Sequence, residues 1–159
     1  MKLKQEFDFK KYLIDNTAGY NGKYSKYILL LPTLYDMLCN MLESDELPVE
    51  LRSDFYLAIG YLIYPNDIYP EEKHGALGFL DDLMLILIVL RKCAIQKGVG
   101  IEFINNFSQD LDYPVKQLLT TDFDKMIKQN KVLFEQLLDV SGIRFSFVLL
   151  NFSEWLEKD

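Results

Sequence analysis

The sequence predicts an all-α fold, a compact single-domain bundle of six or seven helices around a central apolar helical hairpin. Three observations point there. The chain has 159 residues and is half hydrophobic, enough to bury one core without covalent staples. Almost every long segment places its apolar residues at helical spacing. The breaks between segments are short and carry Asn, Gly or Pro, with no internal repeat and no low-complexity linker.

The elements follow in order. A first helix is expected over 3–14, with Phe7, Tyr12, Leu13 and Ile14 apolar. It ends at the Asn- and Gly-bearing stretch 16–22, whose residues tolerate positive φ. A helical run covers 25–42. Pro32 lacks a backbone donor and crowds the preceding turn, so the run kinks or begins anew there. Beyond it, Leu34, Leu38, Met41 and Leu42 share one face.

Leu47-Pro48 opens a third helix over 49–64, with Leu51, Phe55, Ala58, Ile59, Leu62 and Ile63 facing inward. Proline suits the first turn, and the acids Asp45 and Glu46 complement the helix dipole. A fourth helix over 77–96 is apolar all round from 83 to 90, so it must be surrounded by other elements. Gly98 or Gly100 closes it. A short helix is expected over 113–119, after which Thr121 caps another helix. That helix presents Phe123, Met126, Ile127, Asn130, Phe134, Leu137 and Leu138 until Ser141-Gly142 breaks it. A last helix would carry Phe145, Val148, Leu149, Phe152, Trp155 and Leu156.

The charge excludes some functions. Seventeen basic residues stand against 24 acidic ones, a formal net charge of −7, the opposite of a nucleic-acid footprint. In the first 26 residues six lysines, among them Lys10, Lys11, Lys23 and Lys26, face three acids. That local +3 leaves −10 for the rest, and makes peripheral contact with an anionic membrane conceivable through the basic arm. Most such arms are simply solvated. No apolar run approaches the roughly 20 residues of a membrane span. Two cysteines, Cys39 and Cys93, do not make a disulfide framework, and the expected location is the cytoplasm.

One constellation stands out. Pro65 and Pro70 bracket a turn holding Asp67, and Gly78 precedes Asp81 and Asp82 in the first turns of the most hydrophobic helix. A carboxylate near such a core is costly unless it is paired or hydrogen-bonded. Three readings follow. The acids accept backbone donors and complement the helix dipole. Or they hold a hard cation such as Mg²⁺ or Ca²⁺. Or Asp67 with one of the other two forms a catalytic carboxylate pair. Neighbouring tyrosines, Tyr56, Tyr61, Tyr64 and Tyr69, with Tyr20, Tyr24 and Tyr27 upstream, offer hydroxyls that would close a Tyr–Asp network, or else rings that would line a binding surface.

The pattern Tyr-Leu-x-x-Pro-x-Asp-x-x-Pro followed by Gly-x-x-Asp-Asp-Leu resembles the YkvA-like family, domain of unknown function 1232. The likeness covers about 45 residues inside a core at roughly 47–97, and its signature positions fall on Pro65, Asp67, Pro70, Gly78, Asp81 and Asp82. The resemblance implies a helical hairpin and importance for the three aspartates, but no reaction. The chain departs from the family pattern at Tyr69 and in the charged insert Glu71-Glu72-Lys73-His74-Gly75, which weakens any family tendency to lie against membrane.

The remaining residues carry less. His74, the single histidine, is expected to be solvated, and the cysteines to act as small hydrophobes. No zinc-protease or serine-hydrolase signature occurs. The expected function is therefore a non-enzymatic interaction or accessory module with a protein partner or a second copy of itself. The alternative is a divalent-cation or small-ligand binding protein, or a hydrolase, using Asp67, Asp81 and Asp82.

Overall fold

The structure, a computed structural model, describes residues 8–63, 75–143 and 152, so the calls on Asp67, Pro65, Pro70, Tyr64, Tyr69 and His74, and on a last helix apart from Phe152, lie outside the described residues. Within them the chain is helical, and no strand occurs.

Helix α1 (Phe9–Thr17) is capped by Asp8, whose side chain accepts from the Lys11 N–H at 3.0 Å. It runs beyond the predicted end because Asn16 and Thr17 bond back to the carbonyls of Tyr12 and Leu13, each at 2.7 Å. Gly19, at φ +74°, then turns the chain. The run around Pro32 restarts rather than kinks. Helix α2 (Ser25–Ile28) stops, and α3 (Leu31–Glu43) begins with Pro32 in its first turn, where its missing donor costs nothing. Arg52 ties the end of α3 to the next helix by donating to the carbonyls of Leu42 and Ser44 at 2.7 and 2.8 Å.

Helix α4 (Val49–Ile63) buries Leu51, Phe55, Ala58 and Leu62 as predicted, but Ile63 is exposed rather than inward. Position 63 lies seven residues beyond Tyr56, nearly two whole turns, and so shares the outer face with it. A 3₁₀ turn (Gly75–Phe79) leads into α5 (Leu80–Ile95). Every residue from Leu80 to Arg91 is buried, which confirms that this helix is surrounded.

Helix α6 (Gly100–Asn106) is not among the predicted elements. Helix α5 ends at Ile95, ahead of the stop predicted at Gly98 or Gly100, and these glycines, at φ +86° and +72°, form the corner that launches α6. Phe103 and Ile104 bury its inner side. Next, α7 (Val115–Gln117) passes through a π-helical turn (Leu118–Asp122) into α8 (Phe123–Gln129). Thr121 is therefore no N-cap. The chain is already helical there, and Asp122, which precedes α8, makes no side-chain cap.

The single helix expected from Phe123 to Leu138 is in fact two. Asn130 leaves helical geometry at φ −134°, ψ 46°, and α9 (Lys131–Ser141) follows, closed by Gly142 at φ +69°. The apolar spacing survives the break, which is why it was invisible to periodicity. Phe123, Met126, Ile127, Phe134, Leu137 and Leu138 are all buried.

Arg91 supports the π turn. Its side chain is 1 % exposed, and Nε donates to the Leu119 carbonyl at 2.7 Å while Nη2 donates to Thr120 O at 3.2 Å and to the Asp124 carboxylate. The Phe123 and Phe152 rings lie 4.5 and 5.1 Å from the guanidinium. A π turn shifts carbonyls off the regular ladder, and a buried planar fork with several donors is suited to satisfy them. Burial lowers the Arg91 pKa, and Asp124 acts against that shift.

Candidate functional site

The paired aspartates stand in the first turn of α5, where the 3₁₀ turn hands over to the helix. Asp81 is 0 % and Asp82 1 % exposed. Asp81 Oδ2 accepts the Tyr61 hydroxyl at 2.8 Å, and Asp81 Oδ1 accepts the backbone N–H of Asp82 at 2.9 Å. Both oxygens of Asp81 are thus engaged, one by the facing helix and one by its own turn. The positive end of α5 favours the charge further. Adjacent positions on a helix diverge by about 100°, so the two carboxylates leave α5 in different directions.

The same helix pair is tied at its other end. Lys92 Nζ lies 2.7 Å from Asp54 Oδ2. Tyr61 meets Asp81 and Asp54 meets Lys92, so α4 and α5 run antiparallel and are pinned at two heights. The Asp54–Lys92 tie was not foreseen. Its sequence signal was an acid at 54 within the inner row Leu51, Phe55, Ala58.

Of the predicted site residues, the structure brings Tyr61 and Asp81 together and buries Asp82 and Gly78 beside them. Tyr56 does not join this network, being 63 % exposed. Tyr24 and Tyr27 stand elsewhere, against α8 and Tyr113. Among the described residues no three His, Cys, Asp or Glu side chains gather as metal ligands. Cys93 is buried and Cys39 half-buried, both with free thiols, and burial pushes the Cys93 thiol up to about 12.

The outer face of α4 is different. Val49, Ser53, Tyr56, Gly60 and Ile63 are all exposed, and they recur at alternating steps of four and three. This row carries no charge. Val49 is 79 % and Ile63 55 % exposed, and a Cβ placed on Gly60 would meet nothing within 4 Å.

Fold and site together define an all-helical domain whose hairpin is pinned through buried acids. The family described as "Protein of unknown function (DUF1232)" matches residues 55–88, a stretch from the middle of α4 into α5 that contains Tyr61, Gly78, Asp81 and Asp82. The resemblance to the YkvA-like family therefore holds over the hairpin. The chain is also 28 % identical over 106 residues to an uncharacterized protein, ORF9, of Methanothermobacter thermautotrophicus, covering 67 % of this chain and 71 % of that one. No solved structure matches. No helix among the described residues is long and apolar enough to cross a membrane.

Proposed function

We propose that this domain is a non-enzymatic interaction module of the cytoplasm, and that its working surface is the outer face of α4, which pairs with the same face of a second copy. The observation that carries the reading is the uncharged row Val49, Ser53, Tyr56, Gly60 and Ile63. Its four-three spacing is that of a helix–helix seam. The small residues Ser53 and Gly60 leave room for a facing helix to approach. A neutral seam also lets two chains of net charge −7 meet without opposing like charges at the contact. The row spans about 21 Å at 1.5 Å per residue, less than a standard interface, so the pairing is expected to be weak, with a dissociation constant in the micromolar range or above.

Sedimentation equilibrium tests this directly. The wild-type chain is expected to show a concentration-dependent dimer, and Tyr56→Glu to remain monomeric with an unchanged melting temperature at low concentration. A monomer at every concentration, or a dimer that survives Tyr56→Glu, would overturn the reading.

A second reading, a divalent-cation site on Asp67, Asp81 and Asp82, is supported by the burial of Asp81 and Asp82 side by side. Melting with and without Mg²⁺, Mn²⁺ and Ca²⁺ decides it, since a specific ligand stabilises the folded state by mass action. The structural role of Asp81 favours no shift.

A further inference from the structure

Residues 23–27 and 122–129 face each other across a cleft of about 410 Å³. In a chain of net charge −7 this cleft is lined by three lysines, Lys23, Lys26 and Lys125. None of the three forms an ion pair among the described residues, where the salt bridges use Lys10, Arg91 and Lys92. Two of the ammonium groups are placed over aromatic faces. Lys23 Nζ lies 5.0 Å from the centroid of the Tyr24 ring and Lys26 Nζ 5.0 Å from that of Tyr27. Such contacts hold a cation without neutralising it.

The walls are held in place. Tyr24 is the one non-glycine residue with positive φ among the described residues, at +61°, a conformation that persists only when its surroundings impose it. Here they do so from across the cleft. The Tyr24 hydroxyl donates to Gln129 Oε1 at 2.5 Å and accepts from Asn130 Nδ2 at 2.9 Å. Tyr27 packs edge-on against Tyr113. The acid of the lining, Asp122, accepts the Tyr113 hydroxyl and closes the π turn. Three unpaired ammoniums therefore share the cleft with one carboxylate that already holds a donor.

We propose that this cleft is a binding site for a phosphate-bearing ligand, with Lys23, Lys26 and Lys125 neutralising the phosphate oxygens. Lysine binds phosphate as a point charge and needs no fixed fork. The volume falls in the range of sites for small ligands. A free phosphate compound and a phospholipid headgroup offer the same chemistry, and the two are separable by experiment.

The purified chain would be titrated calorimetrically with inorganic pyrophosphate, and in parallel sedimented with phosphatidylcholine vesicles with and without phosphatidic acid. The triple variant Lys23→Gln, Lys26→Gln, Lys125→Gln is compared with a control that removes the same charge elsewhere, Lys97→Gln, Lys128→Gln, Lys131→Gln. All six lysines are exposed, so both variants are expected to melt like the wild type. Saturable binding that falls about tenfold or more in the cleft variant, and much less in the control, supports the site. Binding seen with pyrophosphate identifies a free phosphate compound, and binding confined to phosphatidic acid vesicles identifies a lipid headgroup. No binding to either probe, or equal losses in the two variants, would overturn the proposal.

Discussion

Replacing Arg91 by methionine is expected to cost about 3–5 kcal/mol of folding stability, the range for removing one member of a buried ion pair. The magnitude follows from what the guanidinium holds. Its side chain is 1 % exposed, whereas Asp124 keeps 28 % of its side-chain surface, so the stranded carboxylate recovers part of its hydration. Leu119 is 0 % exposed, and its carbonyl loses the 2.7 Å bond from Nε with little access to water, at about 1–3 kcal/mol. Methionine fills much of the stem's volume between Phe123 and Phe152, which limits the packing loss. For a chain of this length each kcal/mol lowers the melting temperature by about 2–4 °C, so a fall of about 6–20 °C is expected. Thermal unfolding followed by far-UV circular dichroism measures the fall, and urea unfolding measures the free energy. Adding Asp124→Asn to Arg91→Met is expected to restore only the charge component, about 1–2 kcal/mol. A single variant within 1 kcal/mol of wild type, or a double variant with full recovery, would refute the view that Arg91 supports the π turn.

Other perturbations test separate parts of the structure. Asp54→Asn should lower stability by about 1 kcal/mol, because the Lys92 ammonium is partly exposed and its ion pair screened, and added salt should shrink the difference in unfolding free energy. Gly142→Ala places a Cβ at φ +69° and is expected to cost about 1 kcal/mol by the same unfolding measurement. Burial raises the Cys93 thiol to about 12, so the unfolded state loses its proton first as pH rises through about 9. Stability from this group is intact below that pH and falls above it with a limiting slope of about 1.4 kcal/mol per pH unit until about pH 12. Cys93→Ala should remove that component, and identical pH profiles for the two chains would contradict the burial argument.

Legibility in the sequence varied with the physical signal. Helix α5 was plain, because an uninterrupted apolar run must be enclosed. Helix α4 was legible through Leu51, Phe55, Ala58 and Leu62, whereas the hydrophobicity of Ile63 points inward and its spacing from Val49 and Tyr56 puts it outside. The corner at Gly98 and Gly100 reads equally as a stop or as a start, and only the packing of Phe103 and Ile104 decides for α6. The break at Asn130 left no trace because the buried positions on either side keep helical spacing. At the site, Tyr61 and Asp81 were legible as members of a Tyr–Asp network, since a buried hydroxyl and a buried carboxylate each need a partner. The choice of Tyr61 over Tyr56 follows from the same spacing, since Tyr61 flanks the inner row and Tyr56 lies opposite it.

The motif aspartate Asp81 pins the hairpin of α4 and α5 through Tyr61. A double-mutant cycle of Tyr61→Phe and Asp81→Asn, read by urea unfolding, tests it most directly. Each single variant is expected to lose about 1.5–3 kcal/mol, and the double variant to lose less than their sum, with a coupling of about 1 kcal/mol or more. Additive losses, or single variants as stable as the wild type, would contradict the pinning.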